Sequence, residues 1–430
     1  LAEDNNRAAI RIPFLQGRSF SGMNVLFNMG LRGSTLVLRF ALSFYIVKFM
    51  GLEAAGVYGL ALGVVNAAPA ALGWGLNYFI SRDVSGKTSG VAGLYMKTRL
   101  LVTVTSLAVM TAVVLMVAFS LGHSVTPLYF LILLVVWLET ISCDIHVPLI
   151  AQEMSSQANV LFFLRTSSWI VPVIGLGLAF QSLRTIEAIM IAWSCGYILM
   201  FLGLAWFLRS WPIRRIFQAP VRLRWVRKRM RRAWLIYISD MSNVGLVYAD
   251  RYIVSLLLTL SLTGVYTFYW SLANALQTLI STAVLQVAVP VLFKAYNTGS
   301  MREWREAMVW QFTKTAAVAF ALGLAIFLSG NVLVHFMNMP ELGEHQGMFA
   351  LLLLTAVVRS CTDLMGLGLN SLRKDAHYAF VNLSSVLLSI AMSVILISSF
   401  GFIGAGLSAF FTALVTASIS STLLWRASRP

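Results

Sequence analysis

Charge is what this sequence has least of. Asp, Glu, Lys and Arg make up 11% of its 430 residues, under half the roughly 25% usual in soluble domains, which excludes an ordinary soluble enzyme. Cysteine is scarce too. Cys143, Cys195 and Cys361 each fall inside an apolar segment, with no CxxC and no His at ligand spacing, so neither a disulfide nor a metal site is expected. There is no GxxxxGK[ST] run and no adjoining nucleotide domain, which removes ATP as a direct energy source. His123, His335 and His345 lie near outer loops and His377 beside an inner one, and neither HExxH nor paired catalytic carboxylates occur. No cofactor is called for. The polar stretch from Leu1 to Gly22 lacks an apolar core followed by a small-residue cleavage site, so the first helix is expected to serve as its own insertion signal.

What is present is apolar. Hydrophobic residues make up 59% and mean hydropathy is +0.81, the composition of a polytopic helical membrane protein. Twelve stretches of about 20 apolar residues can span a bilayer, starting near residues 24, 55, 99, 128, 158, 187, 233, 264, 308, 346, 377 and 402.

The segment Arg209 to Arg232, RSWPIRRIFQAPVRLRWVRKRMRR, separates two long apolar regions and holds ten Lys or Arg and no acid. Loops richest in Lys and Arg stay cytoplasmic. Alternating the loops assigns 25 Lys and Arg to the side of this segment, among them Arg82 to Arg99, Lys294 to Lys314 and the N-terminal Arg7, Arg11 and Arg18, against Lys48 and Arg184 alone on the other. Both termini are therefore expected in the cytoplasm. Trp211, Phe217 and Trp225 interleave with the charges, a composition that suits anionic lipid headgroups better than nucleic acid in a chain of this class. The other side's loops are short, the longest running near Ser329 to His345, and hold no domain in which an enzyme could sit.

The two apolar regions also resemble each other. At an offset of 208 residues, Gly56-Val57-Tyr58 falls on Gly264-Val265-Tyr266 and Asn66-Ala67 on Asn274-Ala275. Equal helix numbers then predict an all-α fold of two pseudo-symmetric six-helix bundles around a central cavity, divided as residues 1–208, a basic linker 209–232 and residues 233–430. Pro69, Pro148, Pro172 and Pro290 lie within or at the ends of apolar segments, where each removes a backbone donor.

Five arginines cannot be placed in loops: Arg32, Arg39, Arg165, Arg251 and Arg359. An Arg at a helix centre costs about 2.5–3.5 kcal/mol on the insertion scale, so five facing lipid are hard to sustain. At 100° per residue, Asn28, Arg32, Thr35, Arg39 and Ser43 fall on one face of the first helix, and Asp240, Asn243, Asp250 and Arg251 on one face of the seventh. Thr355, Arg359, Asp363 and Asn370 share a face of the tenth, with Arg359 and Asp363 spaced as a self-neutralising i, i+4 pair. Glu139, Ser142 and His146 lie together on the fourth helix, with Asp144 on another face. The expected depths put Arg32, Arg165 and Arg359 in the cytoplasmic half, Arg39 near the middle and Arg251 in the outer half, a cationic track suited to a phosphate or carboxylate. The acids Asp240, Asp250, Asp363, Glu139 and Asp144 are candidate carriers of a coupling proton or sodium ion.

Gly56 to Val84, GVYGLALGVVNAAPAALGWGLNYFISRDV, is similar to the second helix of polysaccharide transporters, with its G-x-Y-G-L start, Gly-rich turn and closing I-x-R-D. Leu364 to Asn382, LMGLGLNSLRKDAHYAFVN, resembles their connection between the tenth and eleventh helices. The chain thus resembles Wzx-type oligosaccharide-lipid flippases of the multidrug/oligosaccharidyl-lipid/polysaccharide exporter superfamily. That resemblance implies a bacterial inner-membrane protein that moves an undecaprenyl-pyrophosphate-linked sugar unit to the outer leaflet by alternating access, driven by an ion gradient. The partners it implies are the lipid-linked oligosaccharide, membrane lipids and other polysaccharide assembly proteins. Two alternatives stay open: a cation-coupled drug or metabolite antiporter of the same fold, and a membrane-bound glycan polymerase or ligase.

Overall fold

The computed structural model describes residues 22–122, 126–337 and 339–428. Arg7, Arg11, Arg18, His123 and Arg429 and the expectation of an uncleaved N-terminus lie outside them. Among the described residues the chain is helical throughout, without strands. The first half comprises α1 (Gly22–Met50), α2 (Leu52–Ala71), α3 (Leu76–Val84), α4 (Ser89–Ser120), α5 (Pro127–Ala151), α6 (Ser155–Thr166), α7 (Ile170–Ala179) and α8 (Ile186–Phe207). After the short α9 (Ile213–Gln218), the second half holds α10 (Leu223–Leu257), α11 (Leu260–Ile280), α12 (Gln286–Thr298), α13 (Met301–Met337), α14 (Pro340–Gly343), α15 (Gln346–Ser371), α16 (Asp375–Phe400) and α17 (Phe402–Ala427). Helices α6 and α7 form one crossing, as do α11 and α12 with the π-helical turn Ser281–Leu285 between them.

Eleven crossings among the described residues are long and apolar enough to span a membrane. The twelfth, α10, carries its charges inside the helix. It begins at Leu223 within the basic segment rather than near residue 233, so the linker's second part is a continuation of the span. At 1.5 Å per residue its 35 residues run about 52 Å, well past the roughly 30 Å apolar layer.

The prolines act as the sequence predicts in part. Pro172 sits in the first turn of α7, where its missing N–H costs nothing, and the chain breaks just before it at Ser167–Trp169. Pro69, Pro148 and Pro290 lie inside α2, α5 and α12.

The helices α2 and α11, equivalent under the 208-residue offset, pack directly on each other. A Cβ on Gly56 would overlap the carbonyl oxygen of Leu260, and one on Gly264 the carbonyl oxygen of Leu52. Leu52 and Leu260 are equivalent under the same offset, so the contact is reciprocal, the signature of a two-fold relation. On the axis itself Gly59 meets its own equivalent, Thr267. Arg251 and Tyr252 of α10 add bonds to the carbonyls of Gly59 (3.4 Å) and Leu60 (2.9 Å) on α2. All these residues lie in the half of α2 away from the basic linker, so the two bundles are sealed at that far end.

At the basic end the linker is folded against the first bundle. The ammonium group of Lys97 on α4 donates to the carbonyls of Phe217 (2.7 Å), Ala219 (2.7 Å) and Ile216 (3.4 Å), capping the orphan acceptors at the end of α9. Gly93 leaves room for the Ile216 side chain beside α4. Arg229 grips Asp83 at the end of α3 in a bidentate pair (2.6 and 3.0 Å), and the Trp225 indole donates to the same carboxylate (2.6 Å).

Candidate functional site

The first helix carries the open charges. Arg32 and Arg39 on α1 are exposed, no ion pair or hydrogen bond ties either guanidinium to another described residue, and a Cβ at Gly30 or Gly33 would meet open space. The field of Arg39 reaches Glu139 on α5, Tyr58 on α2 and Tyr248 on α10, while that of Arg32 reaches His146 on α5. Asn28, one turn before Arg32, keeps a buried Oδ1 without a partner.

The acids of α5, by contrast, are closed on arginines of their own bundle. Glu139 pairs with Arg165 of α6 (2.6 Å) and accepts from Tyr197 of α8 (2.6 Å) and Cys143 (3.4 Å). Arg165 also donates to Ser142 (2.7 Å). On the other face of α5, Asp144 pairs with Arg99 (2.7 Å) and accepts from Thr103, and Arg99 completes its bonding to Thr103 (2.8 Å) and Asn77 (3.2 Å). Arg99 is 0% exposed. Unlike the exposed Arg82 and Lys87 with which the loop count groups it, it is buried against α5, next to Thr98, which accepts from the backbone of Arg222 in the linker. It opens the apolar run RLLVTV and so reads as a loop edge, and the signal that could have found it was Asp144, an acid without a cationic mate on its own helix.

The α10 stripe splits. Asp250 turns into the second bundle and accepts from Ser393 (2.9 Å), Ser389 (3.2 Å) and Tyr266 (3.2 Å). Its neighbour Arg251 turns to the far-end seal, 0% exposed, with its guanidinium 3.9 Å from the Trp270 ring and Nε and Nη2 unpartnered. Asp240 lines a cavity of about 250 Å³ between α2, α5, α6 and α10 that also touches Arg165 and His146. The arginines therefore form no continuous open track: Arg165 is paired and Arg251 sealed. The serines around Asp250 were missed, although Ser385, Ser389 and Ser393 recur every four residues on α16 and so share one face.

The larger cavity, about 280 Å³, lies inside the second bundle, lined among others by Asn243, Asp250, Gln277, Arg359, Asp363 and Asn382. The expected Arg359–Asp363 pair does not form. Asp363 accepts instead from Gln277 of α11 (3.0 Å), which holds its carboxylate toward that helix. Arg359 is left without an ion pair or hydrogen bond to any described residue, although its field reaches both Asp250 and Asp363.

The sequence model of a family described as polysaccharide biosynthesis protein matches residues 21–296. A comparison with curated proteins found no match. Among solved structures, the inward-facing conformation of a multidrug resistance MATE family transporter of the MOP superfamily superposes with a TM-score of 0.70 at 14% identity, over 92% of this chain and 95% of that one. An outward-facing conformation of a multidrug resistance MATE family transporter gives a TM-score of 0.60 at 12% identity over 94% of each chain. A MOP superfamily transporter from Pyrococcus furiosus, whose binding pocket is described as having reverse polarity, gives 0.58 at 12% identity over 95% of each. The fold is thus the two-bundle fold of these transporters.

Proposed function

The chain belongs to the polysaccharide biosynthesis protein family, and from that premise we propose that it is a flippase carrying an undecaprenyl-pyrophosphate-linked oligosaccharide from the inner to the outer leaflet of a bacterial cytoplasmic membrane. The observation that carries the reading is the pair of unanswered guanidinium groups on α1, Arg32 and Arg39, whose fields reach Glu139 and His146 of the first bundle and, for Arg39, Tyr248 of α10. An open guanidinium with no protein anion of its own is a standing site for a ligand anion, and the planar fork of Arg matches phosphate oxygens. Asn28 adds a polar contact beside them.

The chain divides into bundles 1–208 and 233–430 joined by the linker 209–232, whose second part is the start of α10, with both termini cytoplasmic. With the linker on the cytoplasmic side, the α2–α11 seal closes the outer face, and the arginines await substrate from the inner leaflet. Separation of α2 from α10 and α11 would open the outer face and free Arg251 from the Gly59 carbonyl. That gives the anion a second partner at the outer end. On this reading Asp250 and Asp363 take up a proton or sodium ion in the second bundle and so bias the two states. Glu139 and Asp144 hold the first bundle together through Arg165 and Arg99, and Asp240 faces the cavity shared with Arg165.

The test is translocation in proteoliposomes, with a polyprenyl-pyrophosphate oligosaccharide and an impermeant glycosidase reporting the leaflet. Wild-type protein moves the lipid and Arg39→Ala, which breaks no recorded bond, folds but does not. Unimpaired transport by a well-folded Arg39→Ala protein removes the anion site from α1. Transport of organic cations in place of the lipid establishes the antiporter reading.

A further inference from the structure

The two bundles, related by symmetry, have opposite polar interiors. In the first, the two acids of α5, Glu139 and Asp144, are each matched by an arginine, and those two arginines, Arg165 and Arg99, each bond to further acceptors. In the second, a cavity of about 280 Å³ is lined in part by groups whose bonding is unfinished. Arg359 and Asn243 have no partner among the described residues, and Thr412 keeps a buried hydroxyl without one. Unfinished bonding in a polar pocket open to solvent is met by water or by a ligand.

Resting on the flippase reading, we infer that this second-bundle cavity is a subsite for one neutral sugar ring of the transported unit. The volume is just under the roughly 300–1,000 Å³ of pockets that take drug-sized ligands, which leaves space for a single ring and not for an oligosaccharide. The lining chemistry is that of sugar recognition. Asn243 presents an unpartnered amide and Arg359 a guanidinium, planar groups that meet adjacent hydroxyls two at a time; the amides of Gln277 and Asn382, which donate to Asp363 and Ser239, keep carbonyl oxygens to accept with, the Thr412 hydroxyl both donates and accepts, and that of Thr416, which donates to Ser385, accepts. Tyr378 supplies a ring beside them.

Charge settles the class of sugar. Arg359 is the one basic residue among the lining side chains, and Asp250 and Asp363 are both present. The cavity therefore has no surplus positive charge to attract a uronic acid or the pyrophosphate itself. The anion belongs at Arg32 and Arg39 on α1, and the uncharged ring in the second bundle across α10, whose successive residues Val247 and Tyr248 face the cavity and the field of Arg39 respectively.

The experiment uses the full chain in lipid nanodiscs and saturation-transfer NMR with methyl glycosides of glucose, galactose, N-acetylglucosamine and rhamnose, and with methyl glucuronide. At least one neutral glycoside receives saturation, methyl glucuronide receives none, and the signal falls at least fivefold in both Arg359→Leu and Asn243→Leu, neither of which removes a recorded hydrogen bond. Saturation of the glucuronide alone, or a signal unchanged in both variants, overturns the subsite. In parallel, flipping of the sugar-bearing lipid falls at least tenfold in the two variants while binding of sugar-free undecaprenyl pyrophosphate stays within twofold. Flipping by wild type without any glycoside signal retains the flippase and removes the sugar subsite; a glycoside signal without flipping retains the subsite and removes the flippase.

Discussion

Gly56 and Gly264 close the far end of the molecule together, each making room for the backbone of the other's helix at the equivalent Leu260 and Leu52. Because the obstructing atoms are backbone carbonyls, neither side can yield by turning a side chain. The fit is specific to the conformation in which α2 and α11 touch.

Gly264→Ala should therefore work against this conformation. Overpacking of a tight contact costs about 1–3 kcal/mol, enough to move a two-state population by roughly fivefold or more. Spin labels at Phe49 and Leu257, exposed at the far ends of α1 and α10, should report a longer distance in the variant than in the parent protein, both on a cysteine-free background. An unchanged distance distribution would show that the crossing is not the closure.

The pair Arg99–Asp144 predicts a loss of folding that a second change repairs. Asp144→Leu alone leaves a fully buried guanidinium uncompensated, at a cost of about 3–5 kcal/mol, and should lower yield and melting temperature sharply. Arg99→Met combined with Asp144→Leu should restore most of both. A double variant as unstable as the single one would mean that the hydrogen bonds to Asn77 and Thr103, not the charge balance, hold the site.

Arg251 should behave in the opposite way. Its Nε and Nη2 lack partners in a site 0% exposed, so Arg251→Met removes a poorly compensated charge while keeping an unbranched chain against Trp270. Thermal unfolding in detergent should show a melting temperature equal to or above wild type, with transport lost. A lower melting temperature would show that the stacking on Trp270 outweighs the missing bonds.

Asp83→Asn tests the clasp at the basic end. Asp83 accepts from both Arg229 and Trp225, and at 17–24% side-chain exposure the loss should be about 1–2 kcal/mol, above a surface pair and below a buried one. Limited trypsin digestion should cut between Arg209 and Arg222 faster in the variant. Equal cutting would place the linker's stability in the Lys97 cap instead.

Much of this architecture was legible in the residues. Long apolar runs, the basic segment and the Gly-Val-Tyr repeat are local or periodic signals, and they suffice for the two-bundle fold; the family resemblance read from Gly56 to Val84 holds as well. What was not legible is which polar group answers which. Arg359 and Asp363 have ideal spacing for a pair, yet Gln277 from another helix competes for the carboxylate. Asp250 and Arg251 are neighbours on one stripe, yet one turns into a bundle and the other into the seam between bundles, because a helix advances 100° at each residue. Arg99 hid at the start of an apolar run because its partner lies on α5, 45 residues away. Partner choice is a property of tertiary packing, and a single helix face does not contain it.

The axis between the halves also carries a record of descent. If an ancestral six-helix chain paired with a copy of itself through this crossing, the residue on the axis met its own duplicate, and two threonines there would collide where even one against a methyl group has no room. Gly59 opposite Thr267 is an asymmetric solution, open only to a gene already duplicated and fused, whose two copies could then drift apart at a single position.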